Sequence, residues 1–279
     1  MTEYREESLE RWAAVAQGWK ETRATFQRTA MPVSRWMVEA IHPQPGHRVL
    51  ELAAGLGDTG LLAAELVAPG GSVLITDGAE PMVQAAREHA EELGARNVEL
   101  RAMQAEWIDL PAASVDGVLC RFAVMLLADP EAALREARRV LRPGGRIALA
   151  VWDDIADNPW MRVFREIFSE RGLVPELPAG TPGPFALSDP EAVRELLDSA
   201  GFDDVEIESL DLAFEPASLD AWWDHIVKTS TTAANAVAGL TPAEHYALRD
   251  AVDAGYAPYV REDGSLQVPG RALVAAASA

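Results

Sequence analysis

The sequence predicts an α/β domain: a doubly wound, mainly parallel sheet with helices on both faces. Three observations predict it. Short β-branched and leucine-rich runs alternate with helical periodicity between residues 48 and 152. The connections between them are short, as in βαβ units. The first apolar run leads into a glycine-rich turn and a helix, and the second ends on an acid, Asp77.

The elements follow in order. Residues 1–45 read as N-terminal helices, with Trp12, Trp19 and Trp36 among charged neighbours, and "HPQPG" (42–46) breaks them. "RVLELA" (48–53) is a buried strand and "GLLAAELVA" (60–68) a helix. "SVLITD" (72–77) is a strand, and 81–93 a helix ended by Gly94. Residues 97–102 and 114–122 are strands. "DPEAALREARRVL" (129–141) is a helix that Asp129 caps, with Pro130 in its first turn and Glu131 at the positive end of the dipole. "PGG" (143–145) stops it, and 146–152 is a strand. Residues 153–187 read as irregular and rich in Pro and Gly. A capped helix (188–202) and a strand (204–214) follow. Residues 216–262 read as helical, with Thr241 and Glu244 forming a capping box, and 270–279 reads as a closing strand.

Composition narrows the function. The chain has 24 basic and 44 acidic residues, a net charge of −20. Phosphate backbones and anionic lipid heads repel such a protein, so neither nucleic acid nor membrane is an expected partner. One cysteine, Cys120, allows no internal disulfide and no cysteine-based zinc site, and no metal is expected. The charged start "MTEYREESLERW" lacks an apolar signal core, and no run has the length of a membrane helix. A cytoplasmic location is the expectation.

The glycine turn "VLELAAGLGDTG" (49–60) contains Gly55-x-Gly57-x-x-Gly60, the dinucleotide pattern, with Asp77 where an NAD-binding acid would sit. Glu51 argues for a different guest. A carboxylate at the end of the first strand would face two phosphates. At ~4 Å and an effective dielectric of ~20, like charges repel by roughly 4 kcal/mol before screening. A ligand with an ammonium and a sulfonium would gain from the same carboxylate, and S-adenosylmethionine is such a ligand.

These residues resemble motif I of the class I S-adenosylmethionine-dependent methyltransferases, the group that includes quinone-biosynthesis and many small-molecule methyltransferases. "VLITDGAEPMV" is similar to their second strand, and "LRPGGRIALAVW" (141–152) to the turn before their fifth. The resemblance is firm over 46–152. It implies a Rossmann-like sheet of seven strands with the last antiparallel. The implied division is an N-terminal helical lid (1–45), a core (46–215 and 263–279) and a helical cap (216–262) inserted before the last strand. It implies S-adenosyl-L-methionine as cofactor, with Glu51, Ala53, Gly55 and Gly57 at its methionine end. Asp77 would accept from both ribose hydroxyls, Gly78 follows it, and Met82 would pack on adenine. Gln104 takes the place of the family's adenine-binding acid, with Ala105 and Glu106 beside it. Trp107 covers the adenine or packs below the loop. Arg121 would meet the cofactor carboxylate or a substrate anion, or else pairs with a surface acid.

The acceptor is expected to be a small hydrophobic or aromatic molecule, methylated most readily at a hydroxyl. Trp19, Phe122, Met125, Trp152, Trp160 and Trp222 are the expected acceptor walls, because aromatic surfaces suit such a guest and exclude water. His225 is the candidate base, the other reading being a packing histidine. C- or N-methylation stays open. So does a second copy of the chain as partner, and a cofactor-binding protein without chemistry. An NAD-dependent oxidoreductase would want Tyr-x-x-x-Lys. The only lysines, Lys20 and Lys228, have no tyrosine four residues earlier.

Overall fold

The computed structural model describes residues 2–174 and 180–279. A long helix, α1 (Thr2–Ala40), precedes the sheet. Then β1 (Arg48–Glu51), α2 (Asp58–Val67), β2 (Ser72–Asp77), α3 (Glu80–Glu92), β3 (Val98–Ala102), β4 (Val115–Arg121), α4 (Pro130–Val140) and β5 (Leu141–Trp152) alternate. After them come α5 (Pro159–Glu170), α6 (Pro190–Ser199), β6 (Asp203–Phe214), α7 (Leu219–Thr229), α8 (Thr231–Ala238), α9 (Pro242–Tyr256) and β7 (Val268–Ser278).

The seven strands lie in the order β3-β2-β1-β4-β5-β7-β6. β1 pairs in parallel with β2 on one side and β4 on the other. The chain therefore runs outward from β1, then returns across it to β4. That reversal opens a crevice above the carboxyl ends of β1 and β4, the place where doubly wound sheets bind ligands. β7 is antiparallel to both β5 and β6. Val49, Leu50, Val73, Leu74, Ile75, Val118 and Leu119 are at most 2% exposed, because helices cover both faces. The caps form as the sequence reads: Asp129 accepts from Ala132 N–H at 2.9 Å, and both arms of the Thr241–Glu244 box are present.

Three elements differ from the sequence reading. The N-terminal region is one helix of 39 residues, not several, and it runs through Pro32. Pro32 and Arg28, whose carbonyl loses its partner there, lie on the exposed side, where water substitutes. Residues 153–187 are not irregular throughout. Asn158 and Pro159 start α5, which buries Val163, Phe164 and Phe168. Finally, β5 begins at Leu141 and takes in the Pro-Gly-Gly segment as an irregularity, with Gly144 at φ +80°. Among the described residues no helix is long and apolar enough to cross a membrane, and no cluster of His, Cys, Asp or Glu could hold a metal.

Candidate active site

The loop between β1 and α2 is built on left-handed residues. Ala53, Gly55 and Gly57 have φ of 47°, 55° and 76°. Ala53 thus adopts the conformation for which a glycine is the easier choice. A side chain at Gly55 would enter open space, so this backbone is bare toward the crevice. Gly60 serves packing instead. A Cβ there would stand 2.8 Å from Ile75 Cγ1 and collide with the Glu51 carboxylate, so glycine lets α2 approach the sheet.

Asp77 ends β2 opposite Ala102. Its carboxylate ties the loop down, accepting from Gly55 N–H and Ala79 N–H, both at 2.9 Å. Each oxygen keeps a further lone pair. Burial pushes its pKa up, against the pull of the backbone N–H groups of Ala79, Gly55 and Gly78. Above it lies a cleft enclosing about 1100 Å³ between atoms, its open mouth included. Ala53, Gly55, Asp77, Gly78, Met82 and Gln104 line it. So do Ala105, Glu106, Arg121, Phe122 and Trp19. Gln104 Oε1 is buried and has no hydrogen-bond partner. An acceptor without a donor in a buried site is where a ligand N–H belongs.

Helix α1 supplies the opposite wall, from one face at helical spacing: Arg5, Leu9, Trp12, Trp19, Arg23 and Phe26. Leu9 lies over Gly78, where an added Cβ would stand 2.7 Å from Leu9 Cδ2. Arg5 Nε reaches Glu106 Oε1 at 3.2 Å, and its guanidinium stacks 4.3 Å from the Trp107 ring centroid. Trp107 is 58% exposed and borders a neighbouring shallow groove, not the cleft. The sequence reading missed Arg5, Leu9, Arg23 and Phe26. Their i, i+3/i+4 stripe was visible, but nothing local says which face of a helix meets a sheet made later in the chain. Asp58 also lines the cleft, and only its place at the start of α2 hinted at it.

Several expected site residues lie elsewhere. Glu51 is 1% exposed and turned into the protein, accepting from Gly60 N–H at 2.9 Å. Burial raises its pKa to about 8, although the Arg121 charge and the Gly60 N–H pull it down. It is therefore largely protonated at neutral pH, and it meets the cleft through the loop rather than as an exposed carboxylate. Gly57 packs against Ile75 and Ala86. His225 is off the cleft, bound by Nδ1 to Thr22 Oγ1 at 3.0 Å and stacked on Trp222. Burial lowers its pKa to about 4, too low for a base working near neutrality. Trp152, Trp160 and Trp222 belong to an aromatic core. Trp152 stacks on Phe122 at 4.1 Å, and Phe214 links Trp160 to Trp222. Met125 is 3% exposed in the same core. Apolar burial explains these positions without a ligand. Phe122 reaches from that core to the cleft, as Phe26 does, and has φ +54°, a strained conformation for a bulky residue. Of residues 216–262, none lines the cleft; the cover comes from α1.

A demethylmenaquinone methyltransferase of Thermus thermophilus is 34% identical over 168 residues, 56% of this chain and 74% of that protein. The family model described as a methyltransferase domain matches residues 52–149. The chain belongs to the S-adenosylmethionine-dependent methyltransferase family. The family decides against the nicotinamide reading of the glycine turn. Another member, aklanonic acid methyltransferase DauC of Streptomyces sp., is 36% identical over 138 residues, 48% of this chain and 63% of that protein. The chain spans about three-fifths of the length of the first curated relatives it matches. Among solved structures, the [4+2]-cyclase SpnF shares the fold at 19% identity with a TM-score of 0.54, covering 90% of this chain and 82% of that one. The cofactor of the family fits the residues present. The bare turn at Gly55, the spare lone pairs of Asp77 and the orphaned Gln104 oxygen are what a methionine tail, a ribose diol and an adenine amino group require.

Proposed function

We propose that this protein transfers the methyl group of S-adenosylmethionine to an oxygen of a small acceptor with an apolar or aromatic body. The observation that carries the reading is the cleft itself. Its lining combines the polar groups Asp77, Gln104 and the Gly55 backbone with the rings of Trp12, Trp19, Phe26 and Phe122. Asp77 receives the ribose hydroxyls, Gln104 the adenine amino group, and Met82 packs on the adenine face. The cofactor supplies an activated methyl carbon. The chain's own residues then hold the acceptor in line and keep water out, and positioning of that kind can provide much of the rate. The names of two relatives, for aklanonic acid and demethylmenaquinone, support a small molecule as acceptor. The net charge of −20 argues against nucleic acid.

Calorimetric titration with S-adenosylmethionine, S-adenosylhomocysteine and NAD tests the first half. Micromolar binding of the first two and none of NAD is expected. Transfer of labelled methyl to a panel of phenols, carboxylic acids, alcohols and amines tests the second. Cofactor binding with no transfer to any of them would point to a binding or cyclase-like role on the same fold.

A further inference from the structure

Two guanidinium groups on the floor of the cleft keep hydrogen-bond donors that the protein itself does not use. Arg23 and Arg121 both line it. A guanidinium has five N–H donors. Arg121 directs Nη1 to Ser34 Oγ at 2.9 Å, and Arg23 directs Nη2 to Gln27 Oε1 at 3.3 Å. Asp58 lies between them, 3.7 Å from Arg121 Nη2 and 3.6 Å from Arg23 Nε, beyond good hydrogen-bond length. Its Oδ1 is buried and has no hydrogen-bond partner. Arg23 and Arg121 therefore flank one carboxylate, which also lies 3.8 Å from His89 Nδ1, and the Arg121 charge acts on the buried Glu51 as well. The other acids of the cleft are engaged elsewhere, Glu106 by Arg5 and Asp77 by backbone N–H groups. No described residue lining the cleft is a histidine, and Tyr4 donates its hydroxyl to Leu126 O at 3.2 Å.

We infer that the methyl-accepting atom is an oxygen that arrives already anionic, a carboxylate or the ionised oxygen of an acidic phenol or enol, held by Arg23 and Arg121. This rests on the methyl-transfer reading and names its substrate class. An oxygen lone pair forms the new bond to carbon. The methyl–sulfur bond breaks with its electron pair going to sulfur. No proton has to leave, so a lining without a histidine among the described residues is sufficient. A neutral alcohol would have to give its proton to some group, and the acceptors in the cleft lining are carboxylates, Asp58 beside two arginines, Glu106 on Arg5 and Asp77 on backbone N–H groups, rather than an imidazole. The anion also offsets the net positive charge of the cofactor.

The test uses the full chain saturated with S-adenosylhomocysteine and two probes of equal shape, 2-naphthoate and neutral 2-naphthamide. Calorimetry should show the acid binding at least tenfold tighter. Arg23→Gln should reduce that preference to within threefold, whereas Arg23→Lys, which keeps the charge, should retain most of it. Arg23 is the better probe because its side chain is 25% exposed against 9% for Arg121. Equal binding of the two probes, binding of neither at millimolar concentration, or a preference that survives Arg23→Gln overturns the inference. A second arm separates the cofactor's own carboxylate from the acceptor's. If Arg23→Gln weakens S-adenosylhomocysteine but leaves 5′-methylthioadenosine, which lacks the amino-acid tail, unchanged, the guanidinium reads the cofactor and the inference falls. Failure of S-adenosylhomocysteine to bind the wild type sinks the methyl-transfer reading with it. Cofactor binding without acid preference sinks this inference alone.

Discussion

Glu51→Gln is the most informative single change in the molecule. Glu51 is 1% exposed and its carboxylate accepts from Gly60 N–H. Burial raises its pKa from 4.5 to about 8, and the nearby Asp58 and Asp77 charges add to the rise. A folded-state value above the unfolded one means that the native chain keeps a proton which the unfolded chain has already lost. The associated stability is fully present below about pH 4.5 and is lost as pH rises toward about 8. Over that interval of about 3.5 units, at ~1.4 kcal/mol per unit, the loss sums to roughly 5 kcal/mol. Glutamine keeps the acceptor for Gly60 and cannot ionise. Urea unfolding followed by tryptophan fluorescence at pH 6, 7 and 8 should show the wild type falling relative to Glu51→Gln by ~1.4 kcal/mol from pH 6 to 7 and by about 1 kcal/mol from pH 7 to 8, at equal m-value. Parallel pH curves for the two proteins would refute the argument, because they would mean that Glu51 is already ionised in the native state.

Other outcomes follow from the same geometry. As Glu51 ionises, the affinity for S-adenosylmethionine should rise relative to that for S-adenosylhomocysteine, which lacks the sulfonium charge; calorimetry from pH 7 to 9 measures the ratio, and a flat ratio separates Glu51 from cofactor choice. Asp77→Ala should weaken S-adenosylhomocysteine binding by roughly 1.5–3 kcal/mol in a folded protein, since a charged acceptor is lost; unchanged affinity removes Asp77 from the site. Gly60→Ala should lower stability by about 1–3 kcal/mol, because the new methyl meets Ile75 and Glu51; denaturant unfolding measures it. His225 has a folded pKa of about 4 against 6.5, so its stability contribution is complete above pH 6.5 and is lost as pH falls toward 4. His225→Phe should remove roughly 3 kcal/mol of that acid sensitivity in unfolding titrations, and acid sensitivity equal to the wild type would count against the buried neutral imidazole.

Much of the fold could be read in advance because its signals are local. Asp129, Pro130 and Glu131 announce the start of α4 within three residues, and the apolar run ending at Asp77 announces β2 together with its acid. The glycine turn was legible for the same reason, since left-handed backbone at Gly55 and Gly57 favours that residue. Helix α5 was hidden by the prolines and glycines around it, although Asn158 and Pro159 mark its start. The tryptophans misled because an aromatic residue that lines a pocket and one that packs a core look identical in sequence. Trp19 lines the cleft while Trp152, Trp160 and Trp222 pack together.

By itself, the sequence determined the alternation of strands and helices, the turn at Gly55 and the acid at Asp77. Each depends on backbone conformation or on side-chain periodicity within a few residues. Tertiary structure alone decided that Glu51 turns inward to Gly60, that His225 is sealed against Thr22 and Trp222, and that α1 brings Arg23 to Arg121. Burial and charge pairing are properties of neighbours in space. Arg23 and Arg121 are separated by most of a hundred residues of chain, and only the packing of α1 across the sheet makes them two sides of one site.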